Sequence, residues 1–416
     1  MKLQKWPSRR LGDVVELVNG RGFKPTEWSR TGLPIIRIQN LNGNTEFNYF
    51  EGEYNPKIEV NHGDLLFAWS GSRGVSFGPH FWWGQKAVLN YHTWKVVPRD
   101  DSYDRHFLFA ALKQLTAQIE SKTHGFKTSF VHAQKCEVEE YKLPLPHLSE
   151  QKKIAAILST WDRGIESTEK LIAAMQKRKQ ALMQQLLTGK VRFKEFVKAK
   201  SRQSTPLGDM PSDWKMFRFG KIVEKIKRKN TVGEEHVLTA SGEFGLVDQR
   251  EFFNRSVAGA NLASYYLLKR GEFAYNRSSM KGYPFGAIKR LNLYPQGVLS
   301  TLYICFGITH ESCDSNYLCH FFEARLLDKQ LRGVTQVGGR AHGLLNITDS
   351  DFYSMKIVLP SFEEQQRIAA ILDTQNIEIE HLRKKLDHLR EQKKGLMQQL
   401  LTGKVRVNTD QETVKG

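Results

Sequence analysis

Apolar residues never run long in this chain: nothing in its 416 residues approaches the roughly 18 consecutive apolar positions of a membrane-spanning helix. The opening MKLQKWPSRRLGDVV lacks the apolar centre of an export signal, so a cytoplasmic protein with no membrane partner is expected. Cysteine is scarce. Cys136, Cys305, Cys313 and Cys319 stand at irregular intervals, which suits reduced thiols packed as small apolar groups. Cys313, Cys319 and His320 match no common zinc spacing, and no metal site is expected. Catalytic signatures are missing too. There is no GxxxxGKS or GxxxxGKT phosphate loop and no Asn-Pro-Pro-Phe or Asp-Pro-Pro-Tyr motif for amino methylation. The Gly-rich VGGRAHG at 337–343 lacks Gly-x-Gly-x-x-Gly spacing and reads as a flexible loop. The chain is therefore not expected to be an enzyme or to bind a cofactor itself.

Acidic residues are the last shortage. Asp and Glu number 44 against 62 Lys and Arg, a net charge of +18 with a pI near 9.6. Such an excess points to an acidic polymer, most simply nucleic acid. No basic tail concentrates it: residues 1–147 carry +4, 148–200 carry +7, 201–360 carry +6 and 361–416 carry +1.

What the chain does have is repetition. LMQQLLTGKVR stands at 182–192 and again at 396–406. Sliding 148–193 onto 362–407 at an offset of 214 gives 23 identities in 46 positions without a gap. In the first copy Ile154, Leu158, Trp161, Ile165, Thr168, Ile172, Met175, Lys179, Leu182 and Leu186 step by alternating fours and threes. Ile368, Leu372, Gln375, Ile379, Leu382, Leu386, Leu389, Lys393, Leu396 and Leu400 repeat the pattern, which is a heptad seam. Each copy follows a proline, Pro146 or Pro360, and stops at a glycine, Gly189 or Gly403, suited to a left-handed cap. About 38 helical residues at roughly 1.5 Å each predict rods on the order of 57 Å.

The segments before the rods are related more faintly. At an offset of 208, Trp6, Arg10, Gly12, Val15 and Glu16 fall on Trp214, Arg218, Gly220, Val223 and Glu224. Short apolar runs such as LPIIRI (33–38), DLLFAW (64–69), GEFAYN (271–276) and LSTLYICF (299–306) predict strands. FLFAALKQLTAQI (107–119) and YLCHFFEARLL (317–327) predict helices. The chain thus parses as block 1 (1–147), rod 1 (148–193), a basic linker (194–206), block 2 (207–360), rod 2 (361–407) and a tail (408–416). The predicted fold class is α+β, with two mixed blocks joined by two long antiparallel coiled-coil helices in a pseudo-two-fold repeat. Two diverged blocks imply two unlike DNA half-sites.

This order of parts, the phrases LPLPHLSEQKKIAAIL (143–158) and IVLPSFEEQQRIAAIL (357–372), the twin LLTGKVR endings and the turn GDLLFAWSGSRG (63–74) resemble the specificity subunits of type I restriction-modification systems. The resemblance covers essentially the whole chain. It implies two target-recognition domains and two spacer helices reading double-stranded DNA. It implies two methylating subunits acting with S-adenosylmethionine on adenine N6, and restriction subunits that use ATP and Mg. A free-standing coiled-coil DNA-binding regulator is the alternative reading of the same charge and seam.

Major-groove chemistry favours Arg on guanine and Asn or Gln on adenine, with Lys, Ser and Thr on phosphates. The DNA-binding candidates in block 1 are Arg21 and Lys24, then Arg37, Gln39 and Asn40, then Ser70 and Arg73, and Lys127 and Ser129. In block 2 they are Lys227, Arg228 and Lys229, then Asn276, Arg277, Ser278 and Lys281, and Arg340 and His342. On the rods, repeated residues beside the seam, Ala155, Ala156, Ile157, Met183, Gln184 and Leu187, are the candidates for binding a partner present in two copies.

Overall fold

A computed structural model describes residues 6–122, 130–253, 261–337 and 345–409. Block 1 contributes β1 (Val15–Asn19), β2 (Leu65–Ala68), β3 (Gly78–Phe81), β4 (Thr93–Pro98) and α1 (Arg105–Lys122). Helix α2 (Leu148–Leu186) follows. Block 2 contributes β5 (Val223–Lys225), β6 (Phe273–Asn276), β7 (Ala287–Arg290), β8 (Ile304–Ile308), α3 (Ser315–Glu323) and α4 (Asp349–Ser354), and α5 (Phe362–Leu400) closes the series. The chain divides into two compact units, and both 39-residue helices are shared between them. Unit 1 holds residues 1–170 and 384–416, and unit 2 holds 171–383.

In unit 1 an antiparallel sheet runs β1-β4-β2-β3. DLLFAW is continuously apolar because β2 is covered on both faces, as central strands often are. Leu65 and Phe67 pack with Leu17, Trp94, Val96 and Phe107, Leu108 and Leu112 of α1. Leu66 faces a second cluster built from Ile35, Ile36, Val88 and Trp82, where Leu33–Ile36 pairs in parallel with Ala87–Leu89.

In unit 2 the sheet runs β5-β8-β6-β7, the same order for the corresponding strands. Two expected elements are broken there. LSTLYICF is not one strand: Gln296–Leu299 ends, Ser300–Tyr303 turns, and β8 begins at Ile304. YLCHFFEARLL stops being helical because Arg325 takes φ 57°, and a second helix restarts at Asp328. The second part of the linker is also regular, Arg202–Thr205 forming a hairpin with Gly208–Pro211. Cys305 and Cys313 lie in buried cores, where burial pushes their thiols up to about 12.

Every heptad position on α2 and α5 is buried or half-buried. The polar ones have partners: Lys179 Nζ reaches Glu323 at 2.7 Å in unit 2, and Lys393 pairs with Asp162 in unit 1. Within unit 1, Asp162 and Glu169 of α2 meet Lys393 and Arg390 of α5, so these stretches run antiparallel.

Both units close with one device. In unit 2, Arg192, just past α2, forks onto Glu364 at the start of α5 (2.8 and 2.9 Å) and onto Asp213 (2.8 and 2.9 Å). Its guanidinium lies 5.7 Å from the Trp214 ring. In unit 1, Arg406, just past α5, forks onto Glu150 at the start of α2 (2.7 and 2.8 Å) and sits 5.1 Å from the Trp6 ring. Burial alone would raise the Glu150 and Asp213 carboxyls, but Arg406 and Arg192 outweigh it and hold both below the ordinary range. Beside each fork a buried glutamine ties its helix to the block. Gln151 Nε2 donates to Ser102 O and Pro146 O, and Gln365 Nε2 to Ser312 O and Pro360 O.

Candidate nucleic-acid interface

The sheet register of unit 1 brings the ends of three strands together. Trp94 lies opposite Asn19 and Thr93 opposite Ala68. Backbone bonds from Arg21 N to Leu89 O, Trp69 N to His92 O and Ala133 N to Trp69 O gather the connecting loops at that end. Asn90 N donates to Ile36 O, which brings the Arg37 loop alongside.

Arg21 and Arg37 therefore belong to one loop cluster, but their guanidiniums are partly engaged. Arg21 pairs with Glu27 and lies 4.4 Å from the Phe23 ring centroid. Arg37 donates to Asn48 Oδ1 and lies 5.2 Å from Trp28. Lys24 and Gln39 are exposed. Arg73 donates to Glu120 O at the end of α1. Two of the expected contacts are corrected. Asn40 is buried, its Oδ1 accepting from Arg37 N and its Nδ2 donating to Asn44 O and Glu46 O, so it shapes the loop and offers no base a hydrogen bond. Ser70 is buried in a strand pair opposite His132 and cannot touch DNA there. Exposed aromatics that sequence reasoning passed over, Trp28, Tyr91 and Phe130, stand among these loops.

In unit 2 the corresponding end carries Asn276 as the last residue of β6 and Arg277, Ser278 and Lys281 in the β6–β7 connection. Tyr275 lies opposite Ile304, and Leu345 N donates to Arg277 O. Arg277 Nε donates to Leu302 O at 2.7 Å, so part of its fork braces the loop. Lys281 is exposed. Arg228 pairs with Glu272 at 2.7 Å, and Lys229 donates to Ser264 O at 2.7 Å and lies over the Tyr266 ring. Lys227 is exposed and, among the described residues, has no partner. It shares a groove with Arg218, Lys221 and Lys225, three cations that no sequence motif links because they sit on different short elements. Lys127, Ser129, Arg340 and His342, and all of VGGRAHG after Val337, lie outside the described residues.

The rod candidates divide by exposure. Ala155, Met183 and Leu187 are corrected: each is buried in the core of its unit, where it holds helix to block and cannot meet a partner. Ile157 is half-buried against the same core as Ala155. Ala156 and Gln184 are exposed.

Among the described residues no helix is long and apolar enough to cross a membrane. A family model described as the type I restriction modification DNA specificity domain matches residues 4–177 and 211–390. The type I restriction enzyme MjaVIII specificity subunit of Methanocaldococcus jannaschii is 27% identical over 434 residues, spanning 97% of this chain and 94% of that protein. The type I restriction enzyme EcoBI specificity subunit of Escherichia coli is 28% identical over 227 residues, 52% of this chain and 46% of that one. Two solved structures share the fold. A type I restriction-modification S subunit from M. genitalium has a TM-score of 0.54 at 16% identity, covering 96% of this chain and 98% of that one. A chain from a study of complex assembly in a type I system has a TM-score of 0.57 at 17% identity, covering 97% and 100%.

Proposed function

Because the chain belongs to the type I restriction-modification DNA specificity family, we propose that it reads a split, asymmetric duplex target, block 1 on one half and block 2 on the other. It performs no chemistry itself. It directs adenine-N6 methylation by two methylating subunits that carry S-adenosylmethionine, and cleavage by restriction subunits that use ATP and Mg. The observation that carries this reading is one sheet order used twice with unlike side chains at matching loop positions. Trp69 and Arg277 both accept a backbone hydrogen bond from the returning chain, yet one presents an indole and the other a guanidinium. The Trp69 indole, its N–H spent on Tyr91 O, offers apolar contact, whereas the Arg277 guanidinium keeps donors beyond its bond to Leu302 O that suit a guanine edge.

Two equivalent partners are supported by identical positions that stay exposed in both rods: Ala156 and Ala370, Gln184 and Gln398, Gln185 and Gln399, Val191 and Val405. The test replaces residues 1–145 with the same region of a relative and sequences modified adenines in a host carrying the complete system. One half of the target should change and the other persist. Change in both halves would refute independent reading, and a native mass with other than two methylating subunits would refute the stoichiometry.

A further inference from the structure

Unit 2 carries a groove of about 460 Å³ lined by Arg218, Lys221, Lys225 and Lys227 together with Asp349, Ser350 and Tyr353. Lys225 pairs with Asp349. Arg218, Lys221 and Lys227 are exposed and have no ion-pair partner among the described residues, so four cations converge on one groove against a single carboxylate, Asp349. The Tyr353 hydroxyl is buried without a hydrogen-bond partner. Ile226 N donates to Cys305 O, which keeps Lys225 and Lys227 beside the sheet end that bears the Asn276–Lys281 loop.

Block 1 is built differently at the same place. Sequence correspondence puts Arg10, Asp13, Leu17 and Asn19 where block 2 has Arg218, Lys221, Lys225 and Lys227. Arg10 is neutralised by Glu140 at 2.7 Å, and the residue matching Glu140 in block 2 is Ser354. At these positions block 1 has lost its cations or paired them, while block 2 has gathered four of them, lacks the counterpart of Glu140 and keeps one carboxylate, Asp349. Cations held close in excess of their counter-ions repel one another, and an anion seated among them relieves that repulsion. A shallow groove with Arg and Lys donors suits an exposed, repeating anion more than an enclosed small molecule.

We propose that this groove holds a backbone phosphate of duplex DNA beside the half-site read by block 2, and that block 1 has no equivalent hold. The proposal rests on the DNA-reading function above. The affinity of the two halves is then unequal: block 2 anchors and block 1 adds mainly discrimination.

The test uses the full chain assembled with its methylating subunits and a fluorescein-labelled duplex centred on a methylated site recovered by adenine sequencing. Binding is measured across a salt series for wild type, for the triple variant Arg218→Gln, Lys221→Gln, Lys227→Gln, and for Arg10→Gln. The triple variant should lower the slope of log K against log salt by about 1 for the phosphate released. Phosphate-ethylation interference should vanish beside one half-site only, and Arg10→Gln should leave both readouts at the wild-type value. Lys221→Arg with Lys227→Arg should keep the wild-type slope. A triple variant with an unchanged slope would overturn the proposal. So would a triple variant that no longer assembles with the methylating subunits, which would assign the groove to a protein partner. Absence of DNA binding by the wild-type assembly would instead overturn the DNA-reading function and this inference with it.

Discussion

Replacing Arg192 by Met should weaken unit 2 more than replacing Arg406 by Met weakens unit 1, although the two arginines occupy identical sequence. Arg192 is 8% exposed and is shared by two carboxylates, Glu364 at 1% and Asp213 at 11%. Its guanidinium makes four hydrogen bonds to them and one to Phe196 O. The methionine would fill much of the volume but leave two buried carboxylates facing each other without a cation. Removing one member of such a buried set costs about 3–5 kcal/mol. Arg406 is 31% exposed and serves one carboxylate. After its removal Glu150 keeps the Trp6 indole N–H and the Val407 N–H, so about 1–3 kcal/mol is expected.

Urea unfolding followed by circular dichroism gives the ordering, and hydrogen exchange with mass spectrometry assigns each loss to its unit. Adding Glu364→Gln and Asp213→Asn to Arg192→Met should recover part of the loss, because the uncompensated charge is then gone. The acid dependence has a definite sign. The Asp213 carboxyl is depressed in the folded chain, so its contribution is fully present above the unfolded value of roughly 3.9 and is lost as pH falls through the folded value. The gap between wild type and Arg192→Met should therefore narrow below about pH 4. Equal cost at the two arginines, or a triple variant weaker than the single one, would refute the reasoning.

Two further outcomes follow from the same contacts. Gly189 has φ 61° and a side chain there would meet Pro211 Cγ at 2.4 Å, whereas Gly403, at φ 70°, would meet Trp6 Cε3 at 3.1 Å. Both alanine variants carry the left-handed penalty of about 1–2 kcal/mol, and Gly189→Ala should lose more than Gly403→Ala in melting temperature. Buried His320 would be lowered by desolvation, but the hydrogen bond to Asp373 and the nearby Glu323 carboxylate win and hold it above the ordinary value. The advantage of wild type over His320→Asn should thus be full below about pH 6.5 and fade as pH rises through the folded value. A pH-independent difference in urea midpoint would contradict that.

The rods were legible because a heptad seam needs no tertiary knowledge: the 3.5-residue period is local, and every position it names is buried or half-buried. The two sheets were legible as alternating runs and turns, but their ends were not. LSTLYICF hides the turn at Ser300–Tyr303, since four apolar or hydroxylated residues pass equally for strand. The candidate interface was less legible still. Composition picks out Asn40 and Arg21 alike, yet whether a polar side chain is free depends on groups far away in sequence: Arg73 meets Glu120 O and Arg277 meets Leu302 O. The groove around Lys227 is not legible in the sequence because nothing local relates Arg218 to Lys225. Their proximity follows only once a short helical turn and a strand are folded beside α4.

The duplicated peptide now has a physical reason. Each closing fork joins the end of one rod to the start of the other: Arg192 follows α2 and meets Glu364 of α5, while Arg406 follows α5 and meets Glu150 of α2. A helix cannot supply both members of a fork to itself, because they belong to its opposite ends. Each rod must therefore carry a glutamate at its beginning and an arginine beyond its end, and each must stop at a left-handed glycine against a tryptophan that fits the turn. Met183, Leu186 and Leu187 of the first copy and Leu400 and Leu401 of the second are buried in the cores of their units, which is why they repeat without facing a partner. What is identical in the two copies beyond this need is the exposed remainder, including Gln184 with Gln398 and Val191 with Val405, and any partner recognising both rods alike must do so through those side chains.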